Sequence, residues 1–311
     1  MAAMAEADTP GAAAETRCGF IALIGAPNVG KSTLVNALVG SKVAIVTHKV
    51  QTTRAPVRGI AIAGTAMLVF IDTPGIFAPK RRLDRAMVET AWGGALDADV
   101  IGPLIDARRG IDEEAETILQ RLADVRGRKI LIINKIDLVA RPSLLALAQD
   151  ANARVRFDAS FMLSALTGDG VEDLKSWLAA HVPSGPWHYP EDEISDAPLR
   201  SVAAEITREK LYLRLHEELP YQSTVETDAW KDLKDGSVRI EQTIYVERES
   251  QRKIVLGKGG QTIKAIGADA RREIAAIVGA PVHLFLFVKV RGGWGNDPER
   301  YRGMGLEFPK E

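Results

Sequence analysis

Residues 25 to 32 read GAPNVGKS, with the apolar run GFIALIG leading in and the helical pattern STLVNALVG leading out. The stretch fits G-x-x-x-x-G-K-S/T in the strand–loop–helix setting that gives the motif its meaning. Backbone N–H groups can converge on phosphate oxygens only where side chains are absent at the tight points, which Gly25 and Gly30 supply. The following helix start adds its partial positive charge. Gly25, Ala26, Pro27, Asn28, Val29, Gly30, Lys31, Ser32 and Thr33 are therefore expected to wrap a nucleotide's phosphates. Lys31 would reach the β- and γ-phosphates and the Ser32 hydroxyl would bind Mg²⁺.

Outward from this loop the chain alternates short apolar runs (AMLVFID, DVIGPLID, KILIINK) with helical stretches (EEAETILQRLADV, VEDLKSWLAAHV). That alternation predicts βαβ units and an α/β unit with a mostly parallel sheet. DTPG closes AMLVFID, so Asp72 is the expected Mg²⁺ carboxylate and Gly75 the expected backbone turn beside the γ-phosphate. NKID closes KILII. A carboxylate accepts from both the ring N–H and the exocyclic amine of guanine, a pair that adenine lacks, so Asp137 reads guanine, with Asn134 and Lys135 beside it. Ser164, Ala165 and Leu166, after VRFDASFML, are the third base-side segment. In the polar stretch 48–59, HKVQTTRAPVRG, Thr53 is expected to close over Mg²⁺ and the γ-phosphate, with Thr52 the alternative; the segment is expected to be mobile. The residue after DTPG is Ile76, which cannot orient an attacking water. Slow intrinsic hydrolysis follows, or help from elsewhere; Asn28 and the loop near Thr52 are candidates for holding a monovalent cation.

A second glycine loop, GKGG at 257–260, has no Ser or Thr after its lysine. It fits G-x-x-G between two helical stretches, the loop with which a KH domain clamps about four nucleotides of single-stranded RNA. Arg252, Lys253, Lys258, Lys264, Arg271 and Arg272 surround it against Asp269 and Glu273, a basic patch in a chain whose formal net charge is −1. The expected RNA contacts are Lys253, Ile254, Val255, Gly257, Lys258, Gly259, Gly260 and Lys264. Ile254, Val255, Leu256, Ile263 and Ile266 would form the floor on which bases lie, with ordinary core packing the stronger reading for most of them.

At 311 residues the chain has room for two domains, and 46% apolar with 26% charged residues is a globular composition. The proline-rich stretch 183–198, PSGPWHYPEDEISDAP, divides a unit over 18–182 from one over 199–311. The second unit reads α-β-β-α-β, opening on a helix that runs to Pro220. Residues 1–17 are Ala-rich and acidic, without a signal-peptide pattern, and are expected to form a disordered tail. The single cysteine excludes an intramolecular disulfide, which suits a cytoplasmic setting. No apolar run approaches the roughly 20 residues of a membrane span. Gly102-Pro103 within DVIGPLID predicts a local distortion, since proline cannot donate to a ladder.

GAPNVGKST, QTTR, DTPG, NKID and SAL, followed by EITREKL, ELPY, VERESQRKIVLGKGG and APVHLFLFVKV, resemble the Era-like family of P-loop GTPases with a C-terminal KH domain, from Cys18 to about Trp294. The resemblance implies hydrolysis of GTP to GDP with Mg²⁺, and K⁺ at Asn28. It implies binding to the 3′ end of 16S ribosomal RNA and a role in 30S subunit biogenesis. It also implies a cytoplasmic monomer with some peripheral association with the inner membrane. Gly102-Pro103 and the long segment before Cys18 depart from the family pattern. Two other readings compete: an RNA-binding module with a vestigial nucleotide site, and another ribosome-assembly or tRNA-modifying GTPase whose C-terminal unit contacts protein.

Overall fold

The computed structural model describes residues 15–47, 49, 52–215, 219–293 and 297–309. The first unit runs β1 (Arg17–Gly25), α1 (Lys31–Val39), β2 (Val57–Ala63), β3 (Ala66–Asp72), α2 (Arg82–Leu96), β4 (Val100–Asp106), α3 (Glu113–Ala123), β5 (Arg128–Asn134), α4 (Arg141–Arg154), β6 (Ala159–Leu163) and α5 (Val171–His181). Its sheet has the order β2-β3-β1-β4-β5-β6, antiparallel only at β2. The central strands are apolar between their ends because both faces are covered. Leu34, Leu38, Leu174 and Leu178 of α1 and α5 fill one side, and Trp92, Ile118, Leu119 and Leu122 of α2 and α3 fill the other. This winding brings the C-terminal ends of β1, β3, β5 and β6 to one rim, where α/β sheets place their ligands.

β1 begins at Arg17, whose amide donates to the Thr65 carbonyl at 3.0 Å, so the expected tail over 1–17 is too long at its inner end. Residues 1–14 lie outside the described residues, as do His48, Val50 and Gln51 of the loop expected to be mobile. Gly102-Pro103 costs β4 only local pairing. β1 pairs with both residues, but the ladder to β5 skips them and resumes at Leu104 in the same register.

The second unit runs α6 (Leu199–Arg214), β7 (Ser223–Asp232), β8 (Val238–Val246), α7 (Glu249–Leu256), α8 (Gln261–Val278), β9 (Val282–Val290) and α9 (Pro298–Gly303). The expected order α-β-β-α-β lacked two helices, α7 and α9. α7 has only eight residues, too few for a clear periodic signal. Gln251 secures its start, its side-chain oxygen accepting from the Glu247 and Arg248 amides at 2.8 and 3.0 Å. The opening helix stops at Arg214, not at Pro220, and Leu215 is extended. β7, β8 and β9 form one sheet, and α6 and α8 cover one of its faces through Leu211, Ile244, Ile266, Ile206, Ile240 and Ile274.

Residues 183–198 are bound to the first unit. Ile60 donates its amide to the Ile194 carbonyl at 2.9 Å, the Trp187 indole donates to the Thr65 carbonyl at 3.0 Å, and Trp187 and Tyr189 pack on Ile60, Met67 and Val69. The segment thereby covers the open edge of β2. At the other end of the chain, Tyr301 and Leu306 bury themselves against Leu83, Ala86 and Met87 of α2. No helix among the described residues is long and apolar enough to cross a membrane.

Candidate functional site

The phosphate loop closes on its own lysine. Lys31 Nζ donates to the Gly25 and Ala26 carbonyls, both at 3.0 Å. Burial pushes this ammonium down to about 8, against the opposing pull of the Asp72 and Glu114 charges. The loop geometry depends on glycine at two points. Gly30 has φ +102°, and a side chain there would strike Asn134 Nδ2; Gly25 has φ +156°, with the Leu104 carbonyl 2.8 Å from where a Cβ would stand.

Lys31 makes nucleotide binding pH-dependent. Phosphate oxygens favour the charged ammonium, so the bound-state pKa lies above the free-state value of about 8. Binding therefore takes up a proton at high pH, and its strength is full below about 8 and lost as pH rises above it. Affinity for GTP is expected to fall toward tenfold per pH unit above about 8. Titration calorimetry at pH about 9 in two buffers of different ionisation heat checks this; the same observed heat in both would contradict it.

The three expected Mg²⁺ residues converge. Ser32 Oγ donates to Asp72 Oδ2 at 2.6 Å, Thr53 Oγ1 donates to the same oxygen at 3.1 Å, and the two hydroxyls are 3.0 Å apart. Asp72 is 0% exposed. Its Oδ1 is buried with no hydrogen-bond partner among the described residues. Burial pushes its carboxyl up, while Ser32, the Lys31 charge and Thr53 pull it back. A compact set of hard oxygen donors around an orphaned carboxylate oxygen fits Mg²⁺. The alternative, Thr52, turns away, its hydroxyl donating to the Lys49 carbonyl at 2.7 Å. Thr33 sits one residue further into α1, half-buried. A Cβ at Gly75 would stand 3.0 Å from Pro27, a contact that forces the loop to shift, and Ile76 is packed into the core beside α2.

On the base side, Asn134 ties three segments together. Its amide donates to the Val29 carbonyl at 2.8 Å, and its oxygen accepts from the Ala165 amide at 2.9 Å. Lys135, at φ +66°, donates to the Asn28 carbonyl at 2.6 Å and to Asp106 at 2.7 Å. Asp106 was missed from the sequence, although a carboxylate closing the strand next to NKID is the signal that finds it. Asp137 and Leu166 are exposed, Ser164 and Ala165 buried, and Asn28 exposed at the crest of the phosphate loop.

At the second glycine loop, Gly257, Gly259 and Gly260 have φ of +72°, +58° and +78°. Three left-handed residues in four bring bare backbone to the surface, a conformation that favours glycine. Lys253, Lys258 and Lys264 are exposed around it, and so is Ile254 at 56%. Val255 is a correction: it is 0% exposed, packed with Ile244 and Ile266, because the helical turn that exposes Ile254 points its neighbour inward. The nearby acids are engaged, Asp269 by Arg214 and Arg272, Glu273 by Lys42 and Lys210. The patch stays basic.

Nothing in the residue pattern shows the two units touching, yet they do. Arg54, next to Thr53, is buried in the second unit. Its Nη1 donates to the Ser223 carbonyl at 2.8 Å, and its Nη2 donates to the Tyr212 hydroxyl at 2.8 Å and the Tyr221 carbonyl at 3.2 Å. Arg208 donates back to the Thr52 carbonyl. Glu209 accepts from Lys42 at 2.7 Å and from the Val46 amide at 2.9 Å. The loop that holds the metal thus hangs on α6 and the start of β7.

Comparison with known proteins agrees with both halves of this arrangement. Residues 20–135 match the family model described as 50S ribosome-binding GTPase, and residues 218–295 match the KH domain. The chain is 73% identical over 296 residues to GTPase Era of Afipia carboxidovorans, covering 95% of this chain and 96% of that protein. It is 69% identical over 297 residues to GTPase Era of Brucella suis, covering 96% of each. Among solved structures, Era in complex with MgGDPNP and nucleotides 1506–1542 of 16S ribosomal RNA superposes with a TM-score of 0.89 at 38% identity, covering 93% of this chain and 99% of that one. A point variant of Aquifex aeolicus Era bound to GDP and aluminium tetrafluoride matches equally, again with a TM-score of 0.89 at 38% identity and the same coverage. With a GTPase model matched ahead of a KH domain and 73% identity across 95% of its length to a GTPase Era, the chain is a GTPase that belongs to the Era family.

Proposed function

We propose that this GTPase binds the 3′ end of 16S ribosomal RNA under control of its nucleotide and acts in assembly of the 30S subunit. The observation that carries the reading is the glycine loop at 257–260, three left-handed residues ringed by exposed lysines, in the chain that also holds the Mg²⁺ site. An Era structure 38% identical to the chain holds MgGDPNP and that RNA together. In this reading residues 18–182 take GTP, residues 183–198 strap the units together, and the unit from Leu199 grips the strand.

Lys31 neutralises the phosphates, and Ser32, Thr53 and Asp72 would hold Mg²⁺, which supplies charge compensation between the β- and γ-oxygens when bound. Ile76 is sequestered in the core, so no side chain at that position orients water, and turnover without RNA or ribosome is slow. A cytoplasmic monomer that meets the inner membrane only peripherally belongs to the same reading.

Crosslinking the full chain, loaded with a non-hydrolysable GTP analogue, to total cellular RNA tests it. Recovered fragments should centre on the 16S 3′ end and vanish when Lys258 and Gly259 are both changed to Asp. Fragments spread over unrelated RNA, or retained in the double variant, would overturn it.

A further inference from the structure

β9 is apolar on both faces, and only one is covered. Leu284, Leu286 and Val288 point toward the α6 and α8 cores. On the opposite face stand His283, Phe285, Phe287 and Lys289, all exposed, with Phe285 at 43% and Phe287 at 48%. The adjacent β8 places Arg239 beside His283 and Tyr245 beside Lys289. The Arg239 guanidinium lies over the Phe285 ring, 4.6 Å from its centroid, while pairing with Glu241 at 2.7 Å. β9 is an edge strand, and the helix leading into the glycine loop meets it: Arg252 Nε donates to the Val288 carbonyl at 3.3 Å.

We propose that this column of β9 is a stacking platform for the single-stranded RNA that continues past the GKGG clamp. The inference rests on the RNA reading above. A glycine clamp holds about four nucleotides, so a longer strand needs a second surface next to it. Aromatic rings two residues apart on one face stand roughly 6.6 Å from each other, room for a base at Phe287 and for a second that displaces, or stacks on, the Arg239 guanidinium over Phe285. Every base has a π-face, so such rings accept any sequence. The β9 column itself contains no carboxylate and has Lys289 at one end; Glu241 of β8, beside Phe285, is held by Arg239, which leaves Lys289 as the column's own cation for a phosphate backbone.

The test compares the full chain with a Phe285→Ala, Phe287→Ala double variant, and with a Phe285→Leu, Phe287→Leu pair that keeps apolar surface and loses the planar faces. The probes are single-stranded RNAs of about four and about twelve nucleotides from the 16S 3′ end. Both variants should lose about tenfold in affinity per ring for the longer probe and nothing for the shorter. Unchanged affinity for the longer probe, or equal loss for both probes, would overturn the platform. So would a loss of self-association with RNA affinity intact, which would make this face a contact between copies. Failure of the RNA reading has its own signature: neither probe binds the unaltered chain, or Lys258→Asp with Gly259→Asp binds both as well as it does. The platform then falls with it.

Discussion

A chain carrying Asp137→Asn is expected to lose GTP affinity by about a thousandfold or more while keeping its fold. Asp137 lies exposed in a short helical turn, Ile136–Leu138, so its carboxylate carries no packing. Its two oxygens can accept both guanine donors at once. Asparagine leaves one acceptor and turns an N–H toward one of those donors. The site then loses one hydrogen bond and sets two donors face to face, the kind of mismatch that polar sites reject by factors of about 10⁴. The same reversal favours a base with a carbonyl where guanine has its amine. Affinity for xanthosine triphosphate should therefore rise as GTP affinity falls. Competition titration of the two nucleotides against a fluorescent analogue measures both. GTP affinity within tenfold of the parent chain would remove Asp137 from the base site.

Most of the nucleotide site was legible because its chemistry is local. Asp72 and Asn134 end apolar strands, Asp137 lies in the turn after one, and Lys31 and Ser32 open the helix after the loop that follows β1, and a sheet with parallel strands brings those places together whatever the side chains between them do. Thr53 turns its hydroxyl to Asp72 while Thr52 turns away, which favours Thr53 as the proposed Mg²⁺ residue. Gly102-Pro103 behaved as its missing donor requires. What failed was short or long-range. α7 is too brief to show a period and depends on one glutamine for its start. Val255 was taken for a surface residue because an eight-residue helix between a strand and a glycine loop gives no clear inward face. Arg54 was invisible for a different reason. An arginine in a polar loop reads as solvated, and its partners are backbone carbonyls more than 160 residues away, at Tyr221 and Ser223, together with the Tyr212 hydroxyl. Such partners leave no pattern in the sequence.

Arg54 is also where the account is most exposed. Thr53 would report the proposed Mg²⁺ site, and the next side chain is clamped in the KH unit, so a change in the loop's state should carry to α6 and β7. α2, which follows DTPG, carries a second tie through Tyr301 and Leu306. Energetic coupling between two sites is typically worth about 1–3 kcal/mol, or roughly 5- to 150-fold in affinity. Replacing Arg54 with Ala removes the tie and leaves Lys31, Ser32 and Asp72 in place. Tyr212→Phe removes only the hydroxyl that Arg54 donates to, and serves should the alanine variant fold poorly. The decisive measurement is the affinity of the full chain for the 16S 3′ RNA with GTP analogue and with GDP, in the parent chain and in both variants. The parent should show at least about a tenfold difference between the two nucleotide states, reduced most by Arg54→Ala, which leaves the Arg208 and Glu209 ties, and less by Tyr212→Phe, while GTP affinity holds. Equal RNA affinity in both states of the parent, or an undiminished difference in the Arg54→Ala chain, would contradict the account.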